Sequence, residues 1–174
     1  MGLSEVSAST LRRACAVHHI AALQVEYSPF CLDIESPTTD LLRTCRELGV
    51  AVVAYSPVGR GFLTGQIKSV FDLPENDFRR VTPKYAPENF PKIMALTAQF
   101  EKIAKERGKT SAQICIAWLL AQGDDIIPIP GTRTIKYLDD NTNAAKIELT
   151  AEEVKELREA AENAEIHGDR YPTA

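Results

Sequence analysis

The sequence has 174 residues, 44% of them hydrophobic and 25% charged, a balance typical of a globular domain rather than of a disordered chain. Its net charge of −4 and its scattered basic residues do not favour a nucleic-acid partner. It has no apolar run of the roughly 20 residues that span a bilayer, and its first residues do not resemble a signal peptide. We therefore predict a single domain over residues 1–174, in the cytoplasm, without a nucleic-acid or membrane partner.

The first half of the chain predicts alternating helices and strands. A helix is expected near residues 9–16, and residues 23–27 alternate with period two, as a strand does. Ser36 followed by Pro37 predicts a helix start, because a capping hydroxyl precedes a proline at the first helical position. Residues 50–55 form a continuous apolar run, which indicates a strand of a parallel sheet.

The second half opens with a long irregular segment. Residues 62–90 are rich in Pro, Asn, Asp and Arg, and a connection of that length is usually functional or mobile. A helical apolar pattern follows and stops at Gly108. Thr110 and Gln113 form a capping box that predicts the start of the next helix, which Gly123 should close.

The remaining elements complete the predicted fold. Residues 126–130 predict a short or irregular strand, since proline cannot donate to the ladder, and Thr150 begins another capping box. Residues 2–4 are typical of the tail of an earlier strand. The order of elements predicts an α/β fold with a parallel sheet. A closed (β/α)8 barrel of the TIM type has eight βα units and usually needs about 250 residues. This sequence has about four such units plus a C-terminal helix, which predicts half of such a barrel.

The four cysteines give no sign of a metal site or a redox motif. Cys15, Cys31, Cys45 and Cys115 form no CxxC or CxH arrangement. Free cysteines are among the most often buried residues. We expect four reduced, buried thiols and no bound metal.

Four short motifs resemble those of the aldo-keto reductases. Residues 55–65, YSPVGRGFLTG, are similar to the loop after the seventh strand of that family, and residues 129–133, IPGTR, to the loop after the eighth. Residues 24–29, QVEYSP, resemble the sixth strand, and residues 2–5 the end of the fifth. Each motif is weak alone, but the four occur in the family's order along nearly the whole chain. The sequence is identified as the C-terminal half of such a barrel.

The resemblance implies an NADP(H) site built from strand ends, which is where barrel enzymes place their sites. Tyr55 would stack on nicotinamide, while Ser4 and Gln24 would bind its carboxamide. Glu5 stands where many members have Asn, so its role stays open. The full set of implied cofactor-binding residues is Ser4, Gln24, Tyr55, Ser56, Pro57, Gly59, Arg60, Gly61, Leu63, Ile129, Gly131, Thr132, Arg133, Lys136, Asp140 and Asn141.

Within that set, the chemistry of the phosphate-binding residues can be argued from their types. The backbone of Gly59 and Gly61 can approach a pyrophosphate closely. Arg133 and Lys136, beside a helix start, would bind the 2′-phosphate, and the Asp140–Asn141 pair would face adenine. The alternative interpretations are a simple turn, solvated surface charges and a tyrosine packed at the rim.

The family reduces carbonyls with an Asp, Tyr, Lys and His tetrad from earlier strand units, and none of the four maps onto this sequence. His18 and His19 precede the strand at residues 23–27, at the opposite end of the barrel, so we predict no catalytic residue. One hypothesis is the cofactor-binding half of an NADPH-dependent oxidoreductase that reduces aldehydes or ketones to alcohols, inactive alone. The other is a non-catalytic nucleotide-binding or self-assembling module.

Half of a barrel leaves two sheet edges and an inner face without neighbours. We expect the edges to pair with another chain and the inner face to expose an apolar patch larger than monomers usually tolerate. Homo-oligomerisation, a complementing N-terminal half, or a longer parent chain would each meet that need, and the sequence does not choose among them.

Overall fold

The computed structural model describes residues 1–166 and residue 168. Strands and helices alternate through most of this part of the chain, which confirms the α/β class. In chain order the elements are β1 (Gly2–Ser4), α1 (Ala8–Val17), β2 (Ala22–Glu26), α2 (Leu41–Leu48), β3 (Ala51–Tyr55), α3 (Phe90–Glu106), α4 (Ser111–Leu120), β4 (Ile126–Pro128), α5 (Ile135–Ala144) and α6 (Ala151–Glu162).

The four strands form one parallel sheet in the order β1-β2-β3-β4. Ser4 pairs with Gln24, Gln24 with Val53, and Val53 with Ile127, so these four residues form one row across the sheet. All four strands end at the same edge, since parallel strands share one direction. The loops that follow β3 and β4 therefore emerge side by side.

Within residues 1–166, helices cover only one face of this sheet, and the other is called the open face. Leu23, Val25 and Val52 point to that face and are buried, because successive side chains of a strand alternate between faces. The other face carries Ser4 and Gln24, which are exposed. This open face also carries Val53 and Tyr55 of β3, which are half-buried, and Ile127 of β4, which is 48% exposed. Ser4 and Gln24 interrupt these apolar side chains, so an apolar patch larger than monomers usually tolerate stays a prediction.

Four residues separate the predicted start of α2 from the observed one. Ser36 does not cap a helix; its hydroxyl accepts from the Thr38 amide, and the residue ends a short 3₁₀ turn at Asp33–Glu35. The helix begins at Leu41, after Asp40 in a left-handed conformation with φ 51°. The Ser36 hydroxyl therefore forms a local side-chain turn and does not cap the helix, as the sequence had predicted it would.

The other helix boundaries follow local sequence signals. Thr110 and Thr150 both form complete capping boxes, with Gln113 and Glu153 as the reciprocal partners, which confirms both predictions. Gly108 follows α3 with φ 60°, a conformation that glycine adopts without strain. The helix α4 ends at Leu120, three residues before the predicted stop.

Helix α6 is held against the rest of the molecule by a polar cluster. The Arg158 guanidinium donates to Glu35 at 2.5 Å and lies 4.8 Å from the ring centre of Trp118. The Tyr27 hydroxyl donates to the same carboxylate of Glu35, and burial first, then this carboxylate, raises the pKa of Tyr27. The cluster joins the C-terminal helix to the end of β2.

Three of the four thiols are buried as expected, and Cys15 is half-buried, which corrects the prediction for that residue. Burial raises the pKa of Cys31 and of Cys45 to about 11 and also raises the pKa of Cys115. Within the described residues no group of His, Cys, Asp and Glu side chains could hold a metal ion. Nor does that part of the chain contain a helix long and apolar enough to cross a membrane.

A pair of neighbours on β2 tests which face of the sheet forms the core. Leu23→Ala should lower the free energy of unfolding by about 2–5 kcal/mol, because it leaves a cavity under the helices. Gln24→Ala, on the open face, should change it by no more than about 0.5 kcal/mol. Urea denaturation followed by circular dichroism measures both values. Equal losses for the two variants would contradict the assignment of faces.

Candidate functional site

A groove of about 750 Å³ lies between the loops that follow β3 and β4. Its walls come from the start of the β3 loop, from the long segment after it, and from the residues before and within α5. The lining residues are Ser56, Pro57, Val58, Arg60, Gly61, Thr64, Gln66, Ile67, Asp72, Leu73, Pro74, Arg79, Thr110, Ala112, Pro130, Gly131, Thr132, Lys136, Tyr137, Asp140 and Asn141. The volume falls in the range of small-molecule and cofactor sites, roughly 300–1,000 Å³.

The β3 loop is unusually rich in left-handed backbone. Ser56 and Arg60 have φ values of 54° and 55°, and Gly59, Gly61 and Gly65 are also at positive φ. A non-glycine residue there costs free energy, and such residues cluster at functional sites. The two strained residues stand at either end of a short loop that forms one wall of the groove.

Packing explains Gly59, and a positive φ explains Gly61. A Cβ on Gly59 would lie 3.2 Å from the Phe30 side chain, and one on Gly61 would lie 3.4 Å from the Arg79 guanidinium. The amides of both glycines donate within the loop, to the carbonyls of Ser56 at 2.9 Å and Val58 at 3.1 Å. Gly61 lines the groove, while Gly59 is buried behind it.

Neighbouring elements hold the β3 loop from several sides. The Ser111 hydroxyl at the start of α4 donates to the Leu63 carbonyl at 2.7 Å. The Leu63 side chain, implied by resemblance to contact cofactor, is fully buried in the core. Glu26, at the end of β2, is buried and forms an ion pair with Arg60 at 3.9 Å. Glu5, whose role the sequence left open, accepts from the Glu26 amide at 3.3 Å.

The opposite wall comes from the N-terminal end of α5. Thr134 is the N-cap, and its hydroxyl accepts from the Tyr137 amide. Lys136, in the first turn, lines the groove together with Gly131 and Thr132. Arg133 also precedes the helix but is exposed and lies outside the lining. Unbonded amides at a helix N-terminus favour a bound anion, and the lysine adds a full charge.

Asp140 and Asn141 line the groove one turn farther along α5, as the resemblance implied for the adenine end. The Asp140 carbonyl accepts from the Gln113 side chain at 3.2 Å, which ties this part of α5 to the first turn of α4. The groove therefore runs along one face of α5 from its N-terminal end.

The long segment after the β3 loop is built from short 3₁₀ turns. Val70–Asp72, Phe78–Val81, Pro83–Tyr85 and Pro87–Asn89 each form one such turn. Gln66 joins this segment to α5, since its side-chain amide donates to the Tyr137 hydroxyl at 3.3 Å. The two walls are therefore connected by a direct side-chain contact.

Besides Gly59, Leu63 and Arg133, four more sequence-predicted residues lie outside the groove. Tyr55 borders an adjoining cavity of about 640 Å³ that is also lined by Phe78. Ser4 and Gln24 are neighbours on the open face of the sheet, and Ile129 is 41% exposed just beyond β4. They extend from the groove toward the face that has no helices.

Sequence reasoning missed Arg79, which lines both cavities. Its guanidinium makes two hydrogen bonds to Asp77, at 2.9 and 2.6 Å, and one to the Arg60 carbonyl at 2.7 Å. Arg79 holds the pKa of the Asp77 carboxyl below its usual range, so the pair is lost only when pH falls through that lowered pKa. The composition of residues 62–90 was the signal for a functional segment, but it could not identify this residue.

A comparison with protein families and curated proteins gives a consistent result. The family described as the aldo/keto reductase family matches residues 1–162. The aldo-keto reductase str7 of Strobilurus tenacellus is 59% identical over 170 residues, covering 98% of this chain and 51% of the relative. The NADP(+) aldo-keto reductase yakc of Schizosaccharomyces pombe is 55% identical over 172 residues, covering 99% and 51%. The chain thus spans about half the length of these relatives.

Solved structures show the same half-length match. The glycerol dehydrogenase AKR11B4 from Gluconobacter oxydans has a TM-score of 0.84 at 28% identity, over 99% of this chain and 52% of that protein. The thermostable aldo-keto reductase Tm1743, solved with the inhibitor epalrestat, has a TM-score of 0.67 at 29% identity, over 91% and 47%. The four parallel strands and their helices correspond to half of a TIM-type barrel.

Proposed function

This chain belongs to the aldo/keto reductase family, and we propose that its groove binds NADP(H) as half of an oxidoreductase that reduces aldehydes or ketones. The observation that carries the proposal is the groove itself, where nine of the implied residues meet. They are Ser56, Pro57, Arg60, Gly61, Gly131, Thr132, Lys136, Asp140 and Asn141. The name of the yakc relative includes NADP(+), which supports the same cofactor.

The residues present fit a phosphorylated dinucleotide. Lys136 and the α5 N-terminus supply positive charge and amide donors in one place. Thr132 and Asn141 add polar side chains along the same wall. The 2′-phosphate would lie at the start of α5, within reach of Arg133, and adenine beside Asp140. NADPH, when bound, supplies the hydride for carbonyl reduction.

The residues outside the groove would hold the nicotinamide end. Tyr55 would stack on the ring, and Ser4 and Gln24 would bind its carboxamide, since all three lie at or near the ends of adjacent strands. Ile129 would contact the same end from β4. Leu63 is fully buried, and its carbonyl accepts from the Ser111 hydroxyl, so it would support the loop and not contact the ligand.

The preference for NADP(H) over NAD(H) tests the phosphate assignment. Replacing Arg133 and Lys136 together with Ala should weaken NADPH binding by about 1–3 kcal/mol for each lost charge-assisted contact, and should leave NADH binding unchanged. Fluorescence titration measures both affinities. Lys146→Ala is the matched control, since Lys146 is exposed just beyond the end of α5. Equal losses for the two cofactors would show that these cations do not bind the 2′-phosphate.

Catalysis by the 174-residue chain alone is not expected. No residue of the sequence corresponds to the family's proton donor or to the rest of its tetrad, so bound NADPH would have no acid beside the carbonyl. We predict no reduction of 4-nitrobenzaldehyde above background in an NADPH absorbance assay. A turnover near one per second, typical of enzymes, would contradict this prediction and would place a catalytic group in this half.

The second candidate function, a self-assembling half-barrel, rests on the sheet edges. Within the described sheet, β1 and β4 each pair on one side only. Ile127, in β4, is 48% exposed, and Ile135 and Leu138, on α5, are 78% and 54% exposed. We propose that this edge docks on another half-barrel, either a second copy or a complementing N-terminal half.

For the chain alone, we expect a dimer or larger assembly that buries more than about 2,000 Å², as obligate interfaces do. Sedimentation at micromolar concentration tests this, and Ile127→Lys should shift the distribution toward monomer. Phe71→Lys, at a site that is 74% exposed and belongs to neither β4 nor α5, should not. A single species near 19.2 kDa that unfolds cooperatively would show that the half-barrel is stable by itself.

A further inference from the structure

We propose that Arg79 is a positioning residue that, oriented by Asp77, holds the Arg60 carbonyl and so fixes the wall of the groove formed by residues 56–61. The inference rests on the proposed function of the groove, but it concerns the conformation of the loop before any ligand binds.

Hydrogen bonds hold the Arg79 guanidinium in a fixed direction. Three of its nitrogens are engaged: Nε and Nη2 donate to the two Asp77 oxygens, and Nη1 donates to the Arg60 carbonyl. The Asp77 carboxylate also accepts from the Arg79 amide at 2.9 Å. A guanidinium that is bound through two nitrogens to one carboxylate has a fixed direction. The remaining nitrogen, Nη1, therefore meets the Arg60 carbonyl at a defined point.

The state of the loop carries the second step. Arg60 has φ 55°, a conformation that costs a non-glycine residue free energy, whereas Gly61 at φ 95° is in a region that glycine adopts without strain. A bond to the carbonyl between these two residues restrains that peptide unit. A Cβ on Gly61 would lie 3.4 Å from Nη1, an ordinary contact distance, so it is the positive φ that favours glycine at this position.

Burial carries the third step. The Arg79 and Asp77 side chains are only 21% and 15% exposed, and the guanidinium carbon lies 5.9 Å from the centre of the fully buried Phe62 ring. The Arg79–Asp77 pair is therefore packed against the core. It also ties the 3₁₀ turn at Phe78–Val81 to the β3 loop, so the two parts of this wall are held as one.

Three variants and one control test the proposal. Arg79→Met removes the donors, Arg79→Lys keeps the charge but not the fork, and Asp77→Asn keeps a partner of the same shape with weaker hydrogen bonds. Arg80→Met is the control, since Arg80 packs over the Phe71 ring at 5.7 Å and lies outside both cavities. Amide hydrogen exchange is measured on the ligand-free 174-residue chain, and NADPH affinity by titration.

In Arg79→Met we expect amides of residues 59–64 to exchange at least tenfold faster, while β3 amides keep their protection.

The NADPH affinity of Arg79→Met should fall about tenfold. Arg79→Lys should recover less than half of that loss on a logarithmic scale, and the NADPH affinity of Arg80→Met should stay within twofold of the parent. Unchanged loop exchange would overturn the proposal, as would an equal loss of protection throughout the sheet. If the parent chain binds no NADPH, the proposed function fails, and the exchange data still decide the role of Arg79.

Discussion

The parallel pairing of β3 with β4 determines where the groove lies. Val52 pairs with Ile126, and beyond the paired residues the Ile129 amide donates to the Ala54 carbonyl at 3.0 Å. Because both strands run the same way, their following loops leave the sheet at one edge and close together. The buried crossover helix α4 lies between them in sequence and contacts β4, α5 and the β3 loop. The positions of the groove, of the α5 N-terminus and of the β3 loop therefore follow from this one pair of strands.

The two walls of the groove are stabilised in different ways. The α5 wall is a regular helix end with a local cap at Thr134, which needs little support from elsewhere. The β3 loop contains strained residues, and it keeps its conformation through contacts from Ser111, Glu26 and Arg79. A strained wall held by several distant residues is preorganised, which reduces the entropy that ligand binding would otherwise cost.

Local signals in the sequence were enough for most of the fold. The capping boxes at Thr110 and Thr150 act through residues three positions apart, so they can be recognised without the tertiary structure. The start of α2 could not be predicted, because a serine hydroxyl can either cap a helix or form a local turn, and Ser36 forms the turn. Arg79 could not be predicted either, since its role depends on a carbonyl 19 residues earlier in the chain. The face on which each residue of β3 lies could not be predicted from its composition, because a continuous apolar run conceals the alternation of its side chains.

If the groove between the β3 and β4 loops is the NADP(H) site, as we propose, the cofactor should perturb the residues that line it. Amide chemical shifts of the ¹⁵N-labelled chain, recorded as NADP⁺ is added, test it residue by residue. We expect saturable shifts at residues 56–61 and 131–141, with much smaller changes in α1 and α6. Saturable shifts centred on another surface, or none in these two ranges at millimolar NADP⁺ while the chain stays folded, would contradict it.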